Sequence, residues 1–320
     1  MGKHGGFGQV RFTEVDGKDA IAAGRTWWDA NASKYLAENG AFLGLDHFVW
    51  GPEGLTEAQA QLLGPTSELA GKQILEIGSG AAQCSRWLAT QGAHPVASDI
   101  SHGMLKNSLD IDLALDGTSS FSDAAGKRAA KRKVSAGKVA ANGVVANSRV
   151  STTTGAVAPG ALTAIPVIQA DARKLPFSTG SFEAVFTSFG AIPFVPDAEL
   201  IHHEAFRVLK PGGRWVFSVT HPARWMFPDD PTMHGTSIIR SYFATEPYVE
   251  FDRSGKVEYA EFHRTTGQHV RQVVGAGFNI VDLVEPEWPA ENTNVWGGWG
   301  PERGALLPGT LIVVCEKPLV

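Results

Sequence analysis

One carboxylate and two closely spaced glycines occur together in residues 73–83, QILEIGSGAAQ. The short apolar run before the glycines is typical of a buried strand, and the residues after them are compatible with a helix. Gly78 and Gly80 would let the backbone approach a ligand without interference from a Cβ atom. The start of the helix would supply free N–H groups. The stretch therefore predicts a loop that binds a nucleotide cofactor, and the alternative is a Gly-rich turn without a ligand.

Acidic residues end two further predicted strands, at Asp99 and at Asp171. Asp99 follows the glycine loop by about 20 residues, which is the spacing at which one carboxylate can accept hydrogen bonds from both hydroxyls of an adenosyl ribose. Open α/β sheets bind ligands at the carboxyl ends of their strands, so both acids are expected at one site.

Several motifs together resemble the class I S-adenosylmethionine-dependent methyltransferases, in particular the ubiquinone/menaquinone-biosynthesis type of domain. A dinucleotide loop would need a third glycine where this chain has Gln83, whereas Glu76-x-Gly78-x-Gly80 resembles the first motif of the methyltransferases. The resemblance extends to DISHGML at 99–105, DARKLPF at 171–177 and LKPGG at 209–213, and it covers roughly residues 70–111 and 165–220. Ala82 departs from it, since the family often has a glycine there.

The resemblance implies an α/β fold. The expected architecture is a Rossmann-like, seven-stranded and mostly parallel sheet with helices on both faces and the last strand antiparallel. It also implies S-adenosyl-L-methionine as cofactor and methyl transfer by in-line displacement, for which a general base is optional.

Cofactor contacts follow from the same resemblance, and in it Asp171 with the next backbone N–H reads the adenine edge. An N-terminal helix would close as a lid and bring Trp28 or Tyr35 to the cofactor, although an aromatic stripe packed on the core explains the same spacing. The other residues expected at the cofactor are Glu76, Gly78, Ser79, Gly80, Asp99, Ile100, Ala172 and Ser188.

The chain divides into an N-terminal lid or helical segment (1–69) and a methyltransferase domain (70–320). Residues 1–20 are expected to form a loose lead-in. Residues 116–164 are rich in Ala, Gly, Ser, Thr and Lys and nearly lack large apolar side chains, which predicts a disordered insertion. Residues 221–264 form a substrate-side insertion, and the Gly-rich loop with Trp296 and Trp299 is either a lid or pocket wall, or a surface loop pinned by its rings.

Histidines and cysteines supply few candidates for further chemistry. His221 follows the fifth predicted strand and is the candidate general base for a phenol or similar acceptor, and the alternative is a residue that serves shape or hydrogen bonding. His202 and His203 lie on an amphipathic helix without the H-E-x-x-H pattern, so both are expected in solvent. Cys84 and Cys315 lack metal-ligand spacing and are expected to be core residues, and no metal site is predicted.

The function predicted from these features is methyl transfer to a small acceptor that is partly aromatic or apolar. The alternatives are an RNA or protein methyltransferase that docks through the basic insertion, and a non-catalytic adenosyl-binding module. A formal net charge of −5 does not favour a nucleic-acid partner. No apolar run is long enough to span a bilayer and no signal-peptide core is seen, so a cytoplasmic location is expected. The sequence does not indicate an oligomeric state.

Overall fold

The computed structural model describes residues 9–115 and 164–319. The insertion predicted to be disordered, residues 116–164, lies outside these ranges except for Ala164. The strands in chain order are β1 (Gln9–Phe12), β2 (Gln73–Ile77), β3 (His94–Asp99), β4 (Val167–Gln169), β5 (Phe182–Ser188), β6 (Leu209–Thr220), β7 (Tyr248–Phe251), β8 (Val257–Glu261), β9 (Asn279–Val284) and β10 (Thr310–Glu316). The helices are α1 (Gly17–Leu43), α2 (Glu57–Ala60), α3 (Gln83–Thr90), α4 (His102–Leu115), α5 (Ala198–Val208), α6 (Thr266–Gly275) and α7 (Pro301–Gly304).

Seven strands form the main sheet, in the order β4-β3-β2-β5-β6-β10-β9. The pairs β2–β3, β2–β5, β3–β4 and β5–β6 are parallel. The last strand, β10, is antiparallel to both of its neighbours, β6 and β9. The predicted fold class is confirmed. Because β2 lies between β3 and β5, the carboxyl ends of these three strands are adjacent.

Both faces of this sheet are buried, as expected for parallel strands. On one face Leu75 and Ile77 join a core with residues of α5 and α6. On the other face Ile74 packs in a second core with Leu88 of α3 and Trp50. Helices therefore cover the sheet on both sides, as the sequence predicts.

The connection from α5 to β6 differs in detail from the prediction. The helix ends at Val208, but the strand begins at Leu209 and not after the glycines at Arg214. Phe182 pairs with Leu209 and Ala184 already pairs with Arg214, so residues 210–213 bulge out of the ladder. Gly212 supplies the left-handed conformation at φ 73° that this bulge requires.

The N-terminal region is more ordered than predicted, because residues 9–20 are not a loose lead-in. Strand β1 pairs with β7, which in turn pairs with β8, in an antiparallel three-stranded sheet. Asp16 caps α1 by accepting hydrogen bonds from the N–H groups of Lys18 and Asp19 at 2.8 and 3.2 Å. Ala20 of α1 packs on Val249 and Ala260, so the long helix is attached to the small sheet.

Candidate active site

The turn after β2 is built by two glycines that touch backbone to backbone. Gly78 has φ 63°, and a Cβ atom there would lie 2.8 Å from the Cα atom of Gly190. A Cβ atom on Gly190 would in turn lie 2.5 Å from the carbonyl oxygen of Gly78. The loop after β5 thus packs directly on the loop after β2, and neither position has room for a side chain. Sequence reasoning selected Gly78 for its motif but missed Gly190, whose requirement arises only from this contact.

Two buried carboxylates flank the turn. Glu76 accepts hydrogen bonds at Oε2 from the backbone N–H and the hydroxyl of Ser85 at 3.0 and 2.5 Å. Asp99 accepts from the N–H groups of Gly80 and Ser101, both at 2.8 Å. Burial raises the pKa of Glu76 to about 7 and the pKa of Asp99 to about 6. The site therefore holds two acids whose ionised forms are poorly solvated, as a site for a positively charged ligand would.

Asp171 lies in the same cavity, but its carboxylate is turned to Arg173. Its two oxygens accept from the guanidinium at 3.1 and 2.7 Å, and Arg173 also pairs with Asp197 at 2.9 Å. Burial alone would raise the pKa of Asp171, but the hydrogen bonds from Arg173 outweigh it and hold that pKa below its usual range. The predicted contact with an adenine amine would have to share a carboxylate that already binds a cation.

Two buried polar atoms in the cavity wall have no hydrogen-bond partner among the described residues. They are the hydroxyl of Ser79 and the side-chain amide nitrogen of Asn107, and both residues are less than a tenth exposed. Ser188, by contrast, donates its hydroxyl proton to the carbonyl of Val49 at 2.9 Å. Unpaired buried polar groups are costly, so Ser79 and Asn107 are suited to a polar ligand. Asn107 was missed, because nothing in the sequence separates it from any other polar residue of α4.

Helix α1 forms part of the wall of this cavity and is held there by Asp29. The carboxylate accepts from the hydroxyl of Ser101 at 2.7 Å and from the N–H of Gly103 at 2.9 Å, at the start of α4. Gly103 allows the two helices to approach, since a Cβ atom there would lie 2.7 Å from the carbonyl oxygen of Asp29. Trp28 and Tyr35, whose rings are 5.4 Å apart, consequently line the cavity.

All eleven residues predicted at the cofactor line one cavity of about 170 Å3. They are Trp28, Tyr35, Glu76, Gly78, Ser79, Gly80, Asp99, Ile100, Asp171, Ala172 and Ser188. Cys84 also lines it, and burial raises the pKa of its thiol well above the usual value. That thiol therefore stays protonated, and Cys315 is fully buried in the core.

A second cavity of about 550 Å3 adjoins the first and shares Trp28, Tyr35, Ser188 and Phe194 with it. Both Trp296 and Trp299 of the Gly-rich loop line this cavity. Arg303 holds the loop by donating from Nη1 to the carbonyl of Gly298 at 3.0 Å, with its guanidinium 4.2 Å from the ring of Trp299. The sequence left open whether this loop is a pocket wall or a surface loop held by its rings. Both descriptions apply, because Trp296 and Trp299 line the cavity and the buried Arg303 holds the loop at Gly298 and Trp299.

His221 lines neither of these two cavities. Its Nδ1 accepts from the N–H of Ala223 at 3.1 Å, and its Nε2 lies 2.7 Å from a carboxylate oxygen of Glu285. The first bond requires an unprotonated Nδ1, so Nε2 carries the proton that Glu285 accepts. Burial lowers the pKa of this histidine although Glu285 opposes the shift. Both ring nitrogens are therefore engaged by partners within the protein, Ala223 and Glu285.

The prediction that both helix histidines lie in solvent is wrong for His202. His202 is fully buried and its Nδ1 accepts from the indole N–H of Trp215 at 3.1 Å, whereas His203 is exposed. Burial lowers the pKa of His202 to about 3, so the ring is neutral. It is a core residue.

Residues 9–115 and 164–319 show neither a metal site nor a membrane-spanning helix. In these ranges, no cluster of His, Cys, Asp and Glu side chains could hold a metal ion. None of the helices there combines the length and the apolar character needed to traverse a bilayer.

The strand order and the glycine turn at the carboxyl end of β2 define a class I methyltransferase fold. Comparison with known proteins agrees, since residues 75–217 match the family model described as a methyltransferase domain. Residues 75–217 are therefore similar to a methyltransferase domain, and the described residues have the fold of the class I S-adenosylmethionine-dependent methyltransferases.

Individual relatives are similar over parts of the chain. The chain is 31% identical over 148 residues to a demethylmenaquinone methyltransferase of Clavibacter sepedonicus, covering 46% of this chain and 41% of that protein. It is 50% identical over 52 residues to the ubiquinone/menaquinone biosynthesis C-methyltransferase UbiE of Bartonella bacilliformis, covering 16% of this chain and 20% of that protein. The chain thus spans less than half the length of either relative.

Solved structures show the same fold at low sequence identity. An S-adenosylmethionine-dependent methyltransferase from Mesorhizobium loti is 21% identical, covers 83% of this chain and 100% of its own, and has a TM-score of 0.54. The 1,6-didemethyltoxoflavin-N1-methyltransferase of Burkholderia thailandensis, solved with 1,6-didemethyltoxoflavin and S-adenosylhomocysteine, is 10% identical. It covers 98% of this chain and 96% of its own, with a TM-score of 0.50.

Proposed function

We propose that this protein transfers a methyl group from S-adenosyl-L-methionine to a small acceptor bound in the second cavity. The observation that carries the proposal is the meeting of the glycine turn at 78–80 and Asp99 in one cavity at the carboxyl ends of β2 and β3. The quinone and toxoflavin methyltransferases among its relatives support a small acceptor.

The residues of the first cavity fit this cofactor. The paired glycines give a concave backbone surface, the hydroxyl of Ser79 and the amide of Asn107 are unpaired, and Glu76 and Asp99 are suited to positive charge and to hydroxyl donors. We assign the ribose hydroxyls to Asp99 and the ammonium group of the amino-acid tail to Glu76. The adenine edge falls to Asp171 and the N–H of Ala172.

The cofactor supplies a methyl group that is already activated by the sulfonium charge. The protein has to hold the acceptor in line with it and exclude water, which accounts for much of the barrier in such reactions. Trp28 and Tyr35 belong to both cavities, so α1 covers the place where they meet. On this basis we propose that α1, within the N-terminal segment 1–69, acts as a lid on the methyltransferase domain.

Calorimetric titration with S-adenosylmethionine, S-adenosylhomocysteine and NAD tests the proposal. The first two should bind and NAD should not, and Asp99→Ala should weaken binding of both by at least tenfold. Asp110→Ala, an exposed acid of α4, is the matched control and should leave binding unchanged. Absence of binding by either adenosyl compound, or preference for NAD, would refute the function.

A further inference from the structure

The second cavity has a continuous aromatic wall. Ring centroids are 5.1 Å apart for Tyr259 and Trp27, 4.8 Å for Trp27 and Trp28, and 5.4 Å for Trp28 and Tyr35. Tyr35 then contacts Trp296 at 6.3 Å. The last three pairs are packed edge to face. Such a wall suits a flat apolar ligand, and the faces of its rings attract cations.

Six charged side chains line this cavity, and two pairs among them neutralise each other. Lys34 lies 3.9 Å from Glu38, both about half exposed, and Arg224 lies 2.8 Å from Asp229. The remaining two are acids of the small sheet, described next. Since the pairs cancel, two carboxylates of the lining are left without a paired cation, and burial raises the pKa of one of them, Glu261, above its usual value.

Glu250 and Glu261 are those two acids, and they share one face of β7 and β8. The register pairs Tyr248 with Glu261 and Glu250 with Tyr259. The hydroxyl of Tyr248 donates to Glu250 at 2.8 Å and that of Tyr259 donates to Glu261 at 2.5 Å. Within the described ranges no Lys, Arg or His lies within ion-pair distance of either carboxylate; Arg224, whose charge acts on Glu261, is bonded to Asp229.

These two carboxylates set the charge of the ligand that the cavity can accept. When a ligand displaces water from the cavity, carboxylates without a cation lose hydration that tyrosine hydroxyls replace only in part. A ligand with an ammonium group would restore that balance, whereas a carboxylate or phosphate on the ligand would be repelled. The aromatic wall beside the acids would hold the apolar part.

We propose that the methyl acceptor is a basic amine with a flat apolar body, whose ammonium group binds between Glu250 and Glu261 and whose body packs on the aromatic wall. This inference rests on the proposed function, because it names the substrate class of the same site. It replaces a neutral aromatic or apolar acceptor by one whose positive charge is required for binding.

Three probes that share an indole body and differ in charge test the inference: tryptamine, tryptophol and indole-3-acetate. We would titrate each into the full chain by calorimetry, with and without saturating S-adenosylhomocysteine. Tryptamine should bind at least tenfold more tightly than tryptophol, and indole-3-acetate should bind most weakly. Equal affinity for all three, preference for tryptophol or indole-3-acetate, or no binding by any of them overturns the inference.

Charge-neutralising variants locate the effect. Glu250→Gln and Glu261→Gln, singly and together, should weaken tryptamine binding, by about tenfold or more in the double variant, and leave tryptophol unchanged. Glu258→Gln, an exposed acid on the same strand β8, should behave as wild type. An unchanged affinity of the variants for S-adenosylhomocysteine shows that they are folded. Failure of S-adenosylhomocysteine to bind the wild type refutes the proposed function, whereas its binding without amine preference overturns only the inference.

Discussion

At the residue scale, the most consequential feature is the burial of two acids beside the glycine turn. Glu76 and Asp99 are each less than a tenth exposed, and their hydrogen-bond donors are backbone N–H groups and the hydroxyl of Ser85. Dipoles of this kind stabilise a carboxylate only in part when water is excluded, which is why both pKa values rise. The ionised forms of Glu76 and Asp99 are therefore destabilised by burial, and a cationic cofactor bound beside them would stabilise those forms.

The raised pKa of Glu76 predicts a pH dependence of stability. Its pKa rises from an ordinary value of 4.5 to about 7 on folding, so the folded state binds the proton more tightly than the unfolded state. The stabilisation is complete below pH 4.5 and is lost as the pH rises through 7. Between pH 5 and 7.5 the free energy of unfolding should fall by about 2 to 3 kcal/mol on account of this group.

Urea unfolding at pH 5, 6, 7 and 8 measures this effect. Glu76→Gln keeps an oxygen to accept from Ser85 and should flatten the decline, whereas Glu68→Gln, an exposed acid, should not. Equal slopes in the wild type and the Glu76 variant would show that burial of this carboxylate has no such energetic consequence.

The sequence predicts the role of a residue where a short stretch around that residue carries the pattern. The glycines at 78 and 80 and the acids that end strands are set by chain-local patterns, and the structure brings them into one cavity. His202 could have been placed correctly as well, because it lies in phase with the buried residues Ala198, Ile201 and Ala205 of α5. Asp29 could not, since its partners lie more than 70 residues away, at Ser101 just before α4 and at Gly103 in its first turn.

At the element scale, the contact between the loops after β2 and β5 determines the shape of the cofactor cavity. Three residues near it other than glycine have positive φ, namely Ala82, Phe189 and Ala191. Such conformations cost of order 1 to 3 kcal/mol each and persist only where the surroundings impose them. Here the surroundings are the Gly78–Gly190 contact and the sheet below it.

Gly78→Ala tests the role of that contact, and Gly71→Ala is its matched control. Both glycines have left-handed φ, at 63° and 77°, but a Cβ atom on Gly71 would meet nothing within 4 Å. Gly71→Ala should therefore cost about 1 kcal/mol from backbone strain alone. Gly78→Ala adds a clash with backbone and should cost about 3 kcal/mol in total.

Thermal unfolding and titration with S-adenosylhomocysteine give the two readouts. Gly78→Ala should also weaken ligand binding by more than tenfold, while Gly71→Ala should leave it unchanged. If the two variants lose the same stability and bind equally well, the close approach of the two loops is not what the cavity requires.

Elements that pair across long stretches of sequence were beyond prediction. Strands β7 and β8 are close in the sequence and pair with each other as an antiparallel hairpin. The third strand of that sheet, at Gln9–Phe12, is exposed along its length and has no burial pattern to reveal it. Its partner lies about 240 residues further along the chain, and only the folded chain brings them together.

At the scale of the whole molecule, two adjoining cavities lie near the carboxyl ends of the central strands and share residues of α1. The cofactor cavity is built from the regular sheet, and its residues follow recognisable motifs. The second cavity is assembled from α1, the small sheet and the Trp296–Trp299 loop. These parts come from both ends of the chain, so the acceptor side of the site could not be read from any single stretch of sequence.

The ends of the 116–164 insertion are tied together independently of the segment itself. Asp112 of α4 pairs with the buried Arg86 at 2.6 Å through one oxygen, and its other oxygen accepts from the N–H of Ile165 at 3.0 Å. The chain therefore leaves the domain at Leu115 and returns at Ala164 within a few residues of a common anchor. A linker of about six residues should span this gap.

Replacing residues 116–163 by a six-residue Gly/Ser linker should leave the domain intact. If the insertion is disordered, as its composition predicts, shortening the loop about eightfold should raise the free energy of unfolding by about 2 kcal/mol. Binding of S-adenosylhomocysteine and turnover of a small acceptor should be unchanged, because the segment would not belong to the site. A Gly/Ser segment of the original length separates the effect of loop length from that of the basic side chains. Loss of turnover in both replacements, with cofactor binding retained, would instead make the basic insertion a docking arm for a larger substrate.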